Sequence, residues 1–250
     1  ADCVVGEIEH LISMPRWRSD IMHPVDIVED IAIGFGFENL PETLSKTHLD
    51  AIPLKTSNLN RRFGESMRAC GLQEVQSLTL SNERDQFENV RWPQEEGMAL
   101  ISNPITSEHT ILRQYILPSL LRLLAANRHH ELPQRVYELG TVVRKFKNYQ
   151  RGAWTCAEVG SGFTSSKGIA QAFLRDLGAE HEDVEFMPVE PGHGPWITGR
   201  GSLILIKGKE IGEFGEIDPE VSGKFGIKSP IQAGEINLEG VRRLIPDPVS

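Results

Sequence analysis

The sequence predicts an α+β fold, an antiparallel or mixed sheet covered by helices. Three observations lead there. Strand-like and helix-like runs alternate irregularly rather than in strict βαβ order. Residues 202–217 read as a hairpin turning at Lys207-Gly208-Lys209. The strongest helix, Ile116 to Asn127, carries Leu117, Leu120, Leu121 and Leu124 on one stripe, which needs a surface to cover.

Taken in order, residues 1–22 look irregular or extended. Residues 24–36 look helical, with Ile27, Ile31 and Phe35 on a stripe, and Gly34 and Gly36 end the run. A polar connection from Glu42 to Pro53 marks the main domain boundary, giving domains 1–45 and 46–250. Thr56 or Ser57 can cap a helix through Phe63, Met67 and Cys70, with Gly71 at its C′ position. Val75–Leu80 reads as a half-buried strand, 81–97 as a loop or short elements, and Met98–Ile101 as a short buried strand. Pro118 suits the first turn of the Leu-rich helix. Val136–Val143 and Trp154–Gly160 read as strands. Ser165 or Ser166 caps a helix through Ile169, Phe173 and Leu177, stopped by Gly178. Val184–Met187 is a strand, Asp218-Pro219-Glu220 a helix start, and Gln232–Leu238 a last strand.

The chain has 250 residues, 39% hydrophobic and 24% charged, which is ordinary for a globular protein. Its net charge of −9 means that any nucleic-acid contact must come from a local patch or a partner. Cys3, Cys70 and Cys156 form no CxxC pair, so neither zinc nor a disulfide framework is expected, and a reducing cytosol fits. No run approaches the length of a membrane span. The chain opens on Ala1, and residues 1–14 read as the end of an element rather than a start; a fragment of a larger polypeptide is expected.

The densest chemistry lies in Asp20, Asp26, Glu29 and Asp30. Asp26, Glu29 and Asp30 stand at i, i+3 and i+4 and share one helix face, with Pro24 in the first turn. Carboxylates so placed repel and call for a cation. Without Cys or His, the oxygen set favours magnesium or calcium over zinc. Ion pairs with Arg16, Arg18 or a partner's basic residues, or a solvated acidic face, answer the same pattern. Elsewhere, Arg113 reads as structural, bonding carbonyls ahead of the Leu-rich helix. His129 and His130 follow the end of the Leu-rich helix, where positive charge suits the dipole, and His193 in a Gly/Pro loop reads as a surface residue. Arg61, Arg62 and Arg68 form a basic helix face that is either solvated or turned to a partner.

Four blocks carry a family resemblance. The first is Arg18-Ser19-Asp20-Ile21 leading into Asp26-Ile27-Val28-Glu29-Asp30 and on to Phe35-Gly36-Phe37-Glu38-Asn39. The second is Asn103-Pro104-Ile105-Thr106-Ser107-Glu108 through Arg113, with Leu117-Pro118-Ser119-Leu120. The third is Tyr137-Glu138-Leu139-Gly140. The fourth joins Gly199-Arg200-Gly201, Ile211 to Val221, and Glu235-Ile236-Asn237-Leu238. In this order they resemble the phenylalanyl-tRNA synthetase beta subunit family, more the archaeal and eukaryotic type than the bacterial.

The resemblance implies a class II synthetase-like antiparallel sheet flanked by helices, preceded by the tail of a small domain. It implies a subunit of an α2β2 ligase that joins phenylalanine to tRNA(Phe) using ATP in the cytoplasm, with the active site on the alpha subunit. It places a magnesium shared with that subunit at Asp20, Asp26, Glu29 and Asp30. Set against the class II pattern, the chain is expected to be catalytically silent. Val136 stands where the Arg of an Arg-x-Glu strand would hold the ATP α-phosphate, and no Arg-bearing helix follows the glycine-rich strand. Without two positioned arginines, the charge that develops at phosphorus has no clamp. The alternatives are a free-standing class II-like ligase and an interaction scaffold or cation-binding module unrelated to translation.

Overall fold

The computed structural model describes residues 2–5, 10–43 and 54–245. Contacts divide the chain into two units, 1–52 and 53–250. The boundary expected at 45/46 lies outside the described residues.

In the first unit, β1 (Asp2–Val5) pairs antiparallel with β2 (His10–Ser13), where the sequence suggested only extended chain. Helix α1 (Pro24–Phe35) starts at His23, whose ring accepts the Val25 N–H, with Pro24 at the first helical position. Gly36, at φ 92°, ends it. A single 3₁₀ turn follows at Phe37–Asn39. The Ile27, Ile31 and Phe35 stripe is present, yet α1 buries none of its residues, and Ile31 and Phe35 stay exposed.

The second unit is built on a seven-stranded sheet in the order β3-β6-β7-β11-β10-β9-β8. Its strands are β3 (Gln73–Glu74), β6 (Gln134–Arg144), β7 (Lys147–Ala157), β8 (Val184–Pro188), β9 (Trp196–Ile206), β10 (Lys209–Ile217) and β11 (Ile231–Asn237). Every neighbouring pair is antiparallel except β3 with β6. Helices α2 (Lys55–Ala69), α4 (Phe163–Leu177) and α6 (Leu238–Leu244) cover one face. Helix α3 (Leu117–Ala126) and the segment before it cover the other, where β4 (Leu80–Ser81) pairs with β5 (Ile111–Leu112). The short α5 (Pro219–Lys224) starts as expected: Asp218 accepts the Glu220 N–H and Pro219 follows.

Strand alternation creates two cores. Tyr137, Trp154, Phe214 and Ile236 join Phe63, Met67 and Phe173 on the first face. Val136, Val142, Ala153, Ile217 and Ala233 join the α3 leucines, Trp92 and Tyr115 on the second. Glycine is required at Gly234, which pairs with Trp154 on β7 and Phe214 on β10: a Cβ there would run into the Trp154 ring.

Four expectations need correction. Val75–Leu80 is not one strand: after β3, the Val75 N–H donates to Tyr137 and the chain leaves the sheet so that Ser77 can bond Glu138. Met98–Ile101 makes only a bridge, Leu100 to Ile111, and Leu100 is exposed. Helices α2 and α4 begin at Lys55 and Phe163, with Leu54 and Gly162 as N-caps, rather than at Thr56/Ser57 and Ser165/Ser166. Ser166 sits inside α4, its hydroxyl donating to the Ala233 carbonyl, a partner 67 residues away that local reading cannot supply. The strands at 136–143 and 154–160 are the two arms of one hairpin, turning at Lys145-Phe146. Among the described residues, no helix is long and apolar enough to cross a membrane.

Candidate functional site

The four acidic residues all lie in the first unit. Arg18 donates to Asp20 from Nε and Nη2, at 2.9 and 2.7 Å, and from Nη2 to Asp30 at 2.8 Å. One guanidinium therefore ties the lead-in segment to α1. Asp26 accepts the backbone N–H groups of Met22 and His23, at 2.8 and 2.7 Å, and closes a capping box with His23. Those backbone donors hold the Asp26 carboxyl below the usual carboxylate range, and the Arg18 guanidinium does the same for Asp20. Glu29 is exposed on α1. Two of the four carboxylates thus share an arginine and a third satisfies a helix N-terminus. Among the described residues, no group of three or more His, Cys, Asp or Glu side chains is placed to hold a metal ion. As arranged, these donors do not fit a cation.

The second constellation lies on the sheet face beneath α3. Glu138 on β6 is fully buried, 2.6 Å from Arg113, which is 1% exposed. Arg113 also donates to the Thr141 carbonyl and the Ser77 hydroxyl, so the structural reading of Arg113 holds, with a carboxylate partner added. Glu235 on β11 is also fully buried. It pairs with Arg151 on β7 and accepts the Ile116 and Leu117 N–H groups at 2.9 Å each. A carboxylate at that position satisfies orphan donors and complements the positive end of α3. Arg144 lies 4.5 Å above the Tyr115 ring and bonds Glu95. Burial pushes the Tyr115 hydroxyl up to about 12.

Each of these three arginines is therefore committed to a carboxylate of the same chain, and Val136 is packed in the core beneath α3. A phosphate clamp needs a guanidinium aimed at open space. Sequence reading missed the Glu235–Arg151 pair, whose partners stand 84 residues apart. Only the register of β7 against β11 brings them together.

The remaining candidates are settled locally. Arg61 pairs with Glu65, Arg62 donates to the Asp176 carbonyl, and Arg68 bonds Glu74 and Tyr137. The basic face of α2 is thus knitted into its own unit. His129 and His130 are exposed, their rings 4.2 Å apart. His193 stands 3.7 Å from Glu213, which raises its pKa, and Glu213 also accepts the Trp196 indole N–H.

Comparison with known proteins follows this architecture. Residues 40–238 match the phenylalanyl tRNA synthetase beta chain CLM domain, and residues 4–37 match the tRNA synthetase B5 domain. The phenylalanine–tRNA ligase beta subunit of Archaeoglobus fulgidus is 36% identical over 229 residues, 91% of this chain and 41% of that protein. That of Pyrococcus furiosus is 35% identical over 247 residues, 96% of this chain and 43% of that protein. The chain thus spans about two fifths of the length of these relatives. Among solved structures, pyrrolysyl-tRNA synthetase from Desulfitobacterium hafniense superposes with a TM-score of 0.60 at 14% identity, covering 74% of this chain and 67% of that one, a likeness of fold. With the class II sheet, its flanking helices and the matching family domains in place, the chain belongs to the phenylalanyl-tRNA synthetase beta chain family.

Proposed function

We propose that this chain is the synthetase-like scaffold of a phenylalanine–tRNA ligase beta subunit. It docks a catalytic alpha subunit in an α2β2 enzyme that joins phenylalanine to tRNA(Phe) with ATP in the cytoplasm. The observation that carries this reading is the neutralised sheet face. Adenylation places a growing negative charge on the α-phosphoryl oxygens, and arginine clamps stabilise it. Here Arg113 and Arg151 are spent on Glu138 and Glu235, and Val136 occupies the strand position where a clamp would start. The sheet keeps the geometry of a synthetase and uses its charges to hold its own helices. Glu235 anchors the start of α3, and Glu138 anchors Arg113 and Ser77.

Reconstitution tests this. The purified chain alone should give no ATP–pyrophosphate exchange, and a mixture with the alpha subunit and the remainder of the beta chain should charge tRNA(Phe). Exchange by this chain alone would establish the rival reading of a free-standing ligase. Failure to associate with the alpha subunit would overturn the docking role.

No step of this function is routed through a metal, because the donors of the first unit do not fit one as they stand. If magnesium joins at Asp20, Asp26, Glu29 and Asp30 on assembly, it must displace Arg18 from Asp20 and Asp30. Asp26→Asn with Glu29→Gln should then make assembly depend on magnesium concentration. Equal assembly at every concentration rules the shared ion out.

A further inference from the structure

Gln232 on β11 is 1% exposed, and its side-chain Oε1 has no hydrogen-bond partner among the described residues. A buried carbonyl oxygen left unpaired costs about 1–3 kcal/mol. Its neighbours in the sheet do not relieve it. Gln232 stands opposite Cys156 of β7 on one side and Glu216 of β10 on the other. A thiol is a weak donor and a carboxylate donates nothing. The Glu216 carboxylate is itself held by Arg200 at 2.6 Å. The amide oxygen calls for a donor that its sheet neighbours do not bring.

The side chain lines a cavity of about 310 Å³ between the C-terminal end of α2, the first half of α4 and the sheet. Cys70, which caps α2, and Ile169 of α4 form part of its wall. Arg135 of β6 and Glu158, just past β7, stand in the same cavity. Nε and Nη2 of Arg135 both donate to Oε2 of Glu158, at 2.9 and 2.6 Å. The pair is thus half used. Nη1 of Arg135 and Oε1 of Glu158 bond nothing among the described residues. The cavity therefore offers one cationic donor and two acceptors, a carboxylate oxygen and the Gln232 amide oxygen. One water, occupying about 30 Å³, would answer Gln232 alone and leave the free ends of the ion pair unused.

We infer that this cavity binds a small zwitterion, a free α-amino acid between alanine and valine in size. Its carboxylate accepts from Nη1 of Arg135, and its ammonium donates to Oε1 of Gln232 and Oε1 of Glu158. Charge-assisted bonds of this kind are about twice as strong as neutral ones. A lone anion would answer Arg135 but set its charge against the Gln232 and Glu158 oxygens. A lone cation would leave Nη1 of Arg135 unanswered. Ile169 and the Cys70 thiol supply the apolar wall against which the ligand's side chain rests. The inference needs this chain alone and goes beyond the scaffold role, because it gives the synthetase-like sheet a ligand of its own.

Calorimetric titration of the 250-residue chain with L-alanine and L-valine tests this, with propionate and ethylamine as ligands that carry one charge each. At least one amino acid should bind saturably, and both single-charge ligands should bind about tenfold more weakly or worse. Gln232→Leu should weaken the amino acid by about tenfold or more, the loss of a hydrogen bond to a charged group. Its urea midpoint should hold or rise, since the unpaired oxygen is gone. Arg135→Gln, at a half-exposed position, should weaken the amino acid likewise. The bound ligand should also slow alkylation of Cys70 by iodoacetamide, read by peptide mass. No saturable binding of either amino acid would mean that water alone answers Gln232, and the inference falls. Equal binding of propionate or ethylamine, undiminished binding by Arg135→Gln or by folded Gln232→Leu, or an unchanged rate of Cys70 alkylation at saturation would overturn it too.

Discussion

Arg113 and Glu138 show how the sheet face beneath α3 holds two opposite charges away from water. Both are fully enclosed, and an isolated buried charge is expensive. The pair persists because each partner is almost completely satisfied: the arginine by Glu138, Ser77 and Thr141, the glutamate by Arg113 and Ser77. Arg113→Met should therefore destabilise the chain by about 3–5 kcal/mol in urea, through the unpaired Glu138 more than through the lost contact. Adding Glu138→Gln should recover a good part of that loss. A double variant no more stable than Arg113→Met would show that the packing of the guanidinium matters, rather than its charge. At this scale the sequence was half readable. Arg113 stood out as structural because it precedes the Leu-rich helix. Its carboxylate partner 25 residues on, and the Glu235–Arg151 pair, depend on strand register that no local pattern encodes.

Among the elements, glycine separates positions where the backbone needs room from positions where it does not. Gly152 on β7 faces the Phe63 ring of α2, and a Cβ there would strike it. Gly168 lies exposed in the middle of α4, where a Cβ meets nothing within 4 Å. Gly152→Ala should cost about 1–3 kcal/mol by overpacking the α2 contact. Gly168→Ala should gain about 0.5–1 kcal/mol from helix propensity and lost unfolded-state freedom. Opposite shifts of the urea midpoint, with m unchanged, confirm both; a stabilised Gly152→Ala would show that α2 is loosely seated. Helices with strong apolar periodicity and clean punctuation were legible: α1 with Pro24 and Gly36, α3 with its leucines, α5 with Asp218-Pro219. The β6–β7 hairpin was not. Its turn residues, Lys145 and Phe146, carry none of the glycine or asparagine that announces a two-residue turn, so its arms read as two separate strands.

The two units of the molecule differ in how they are stabilised. Among the described residues, both hydrophobic cores are drawn wholly from 63–245. Among its described residues, the first unit has a single α-helix, which buries none of its residues, together with a short hairpin and the Arg18 ion pairs. Exposed ion pairs contribute little, and isolated helices of about 12 residues are marginal in water. A chain of 53–250 should therefore unfold cooperatively, with a midpoint within a few degrees of the 250-residue chain. Residues 1–52 alone should show no cooperative transition and weak far-ultraviolet helicity. Calorimetry on the two pieces decides it. A collapse of the 53–250 transition would mean that the first unit stabilises the sheet. A sharp transition in 1–52 would mean that the capping box and Arg18 do more than their exposure suggests.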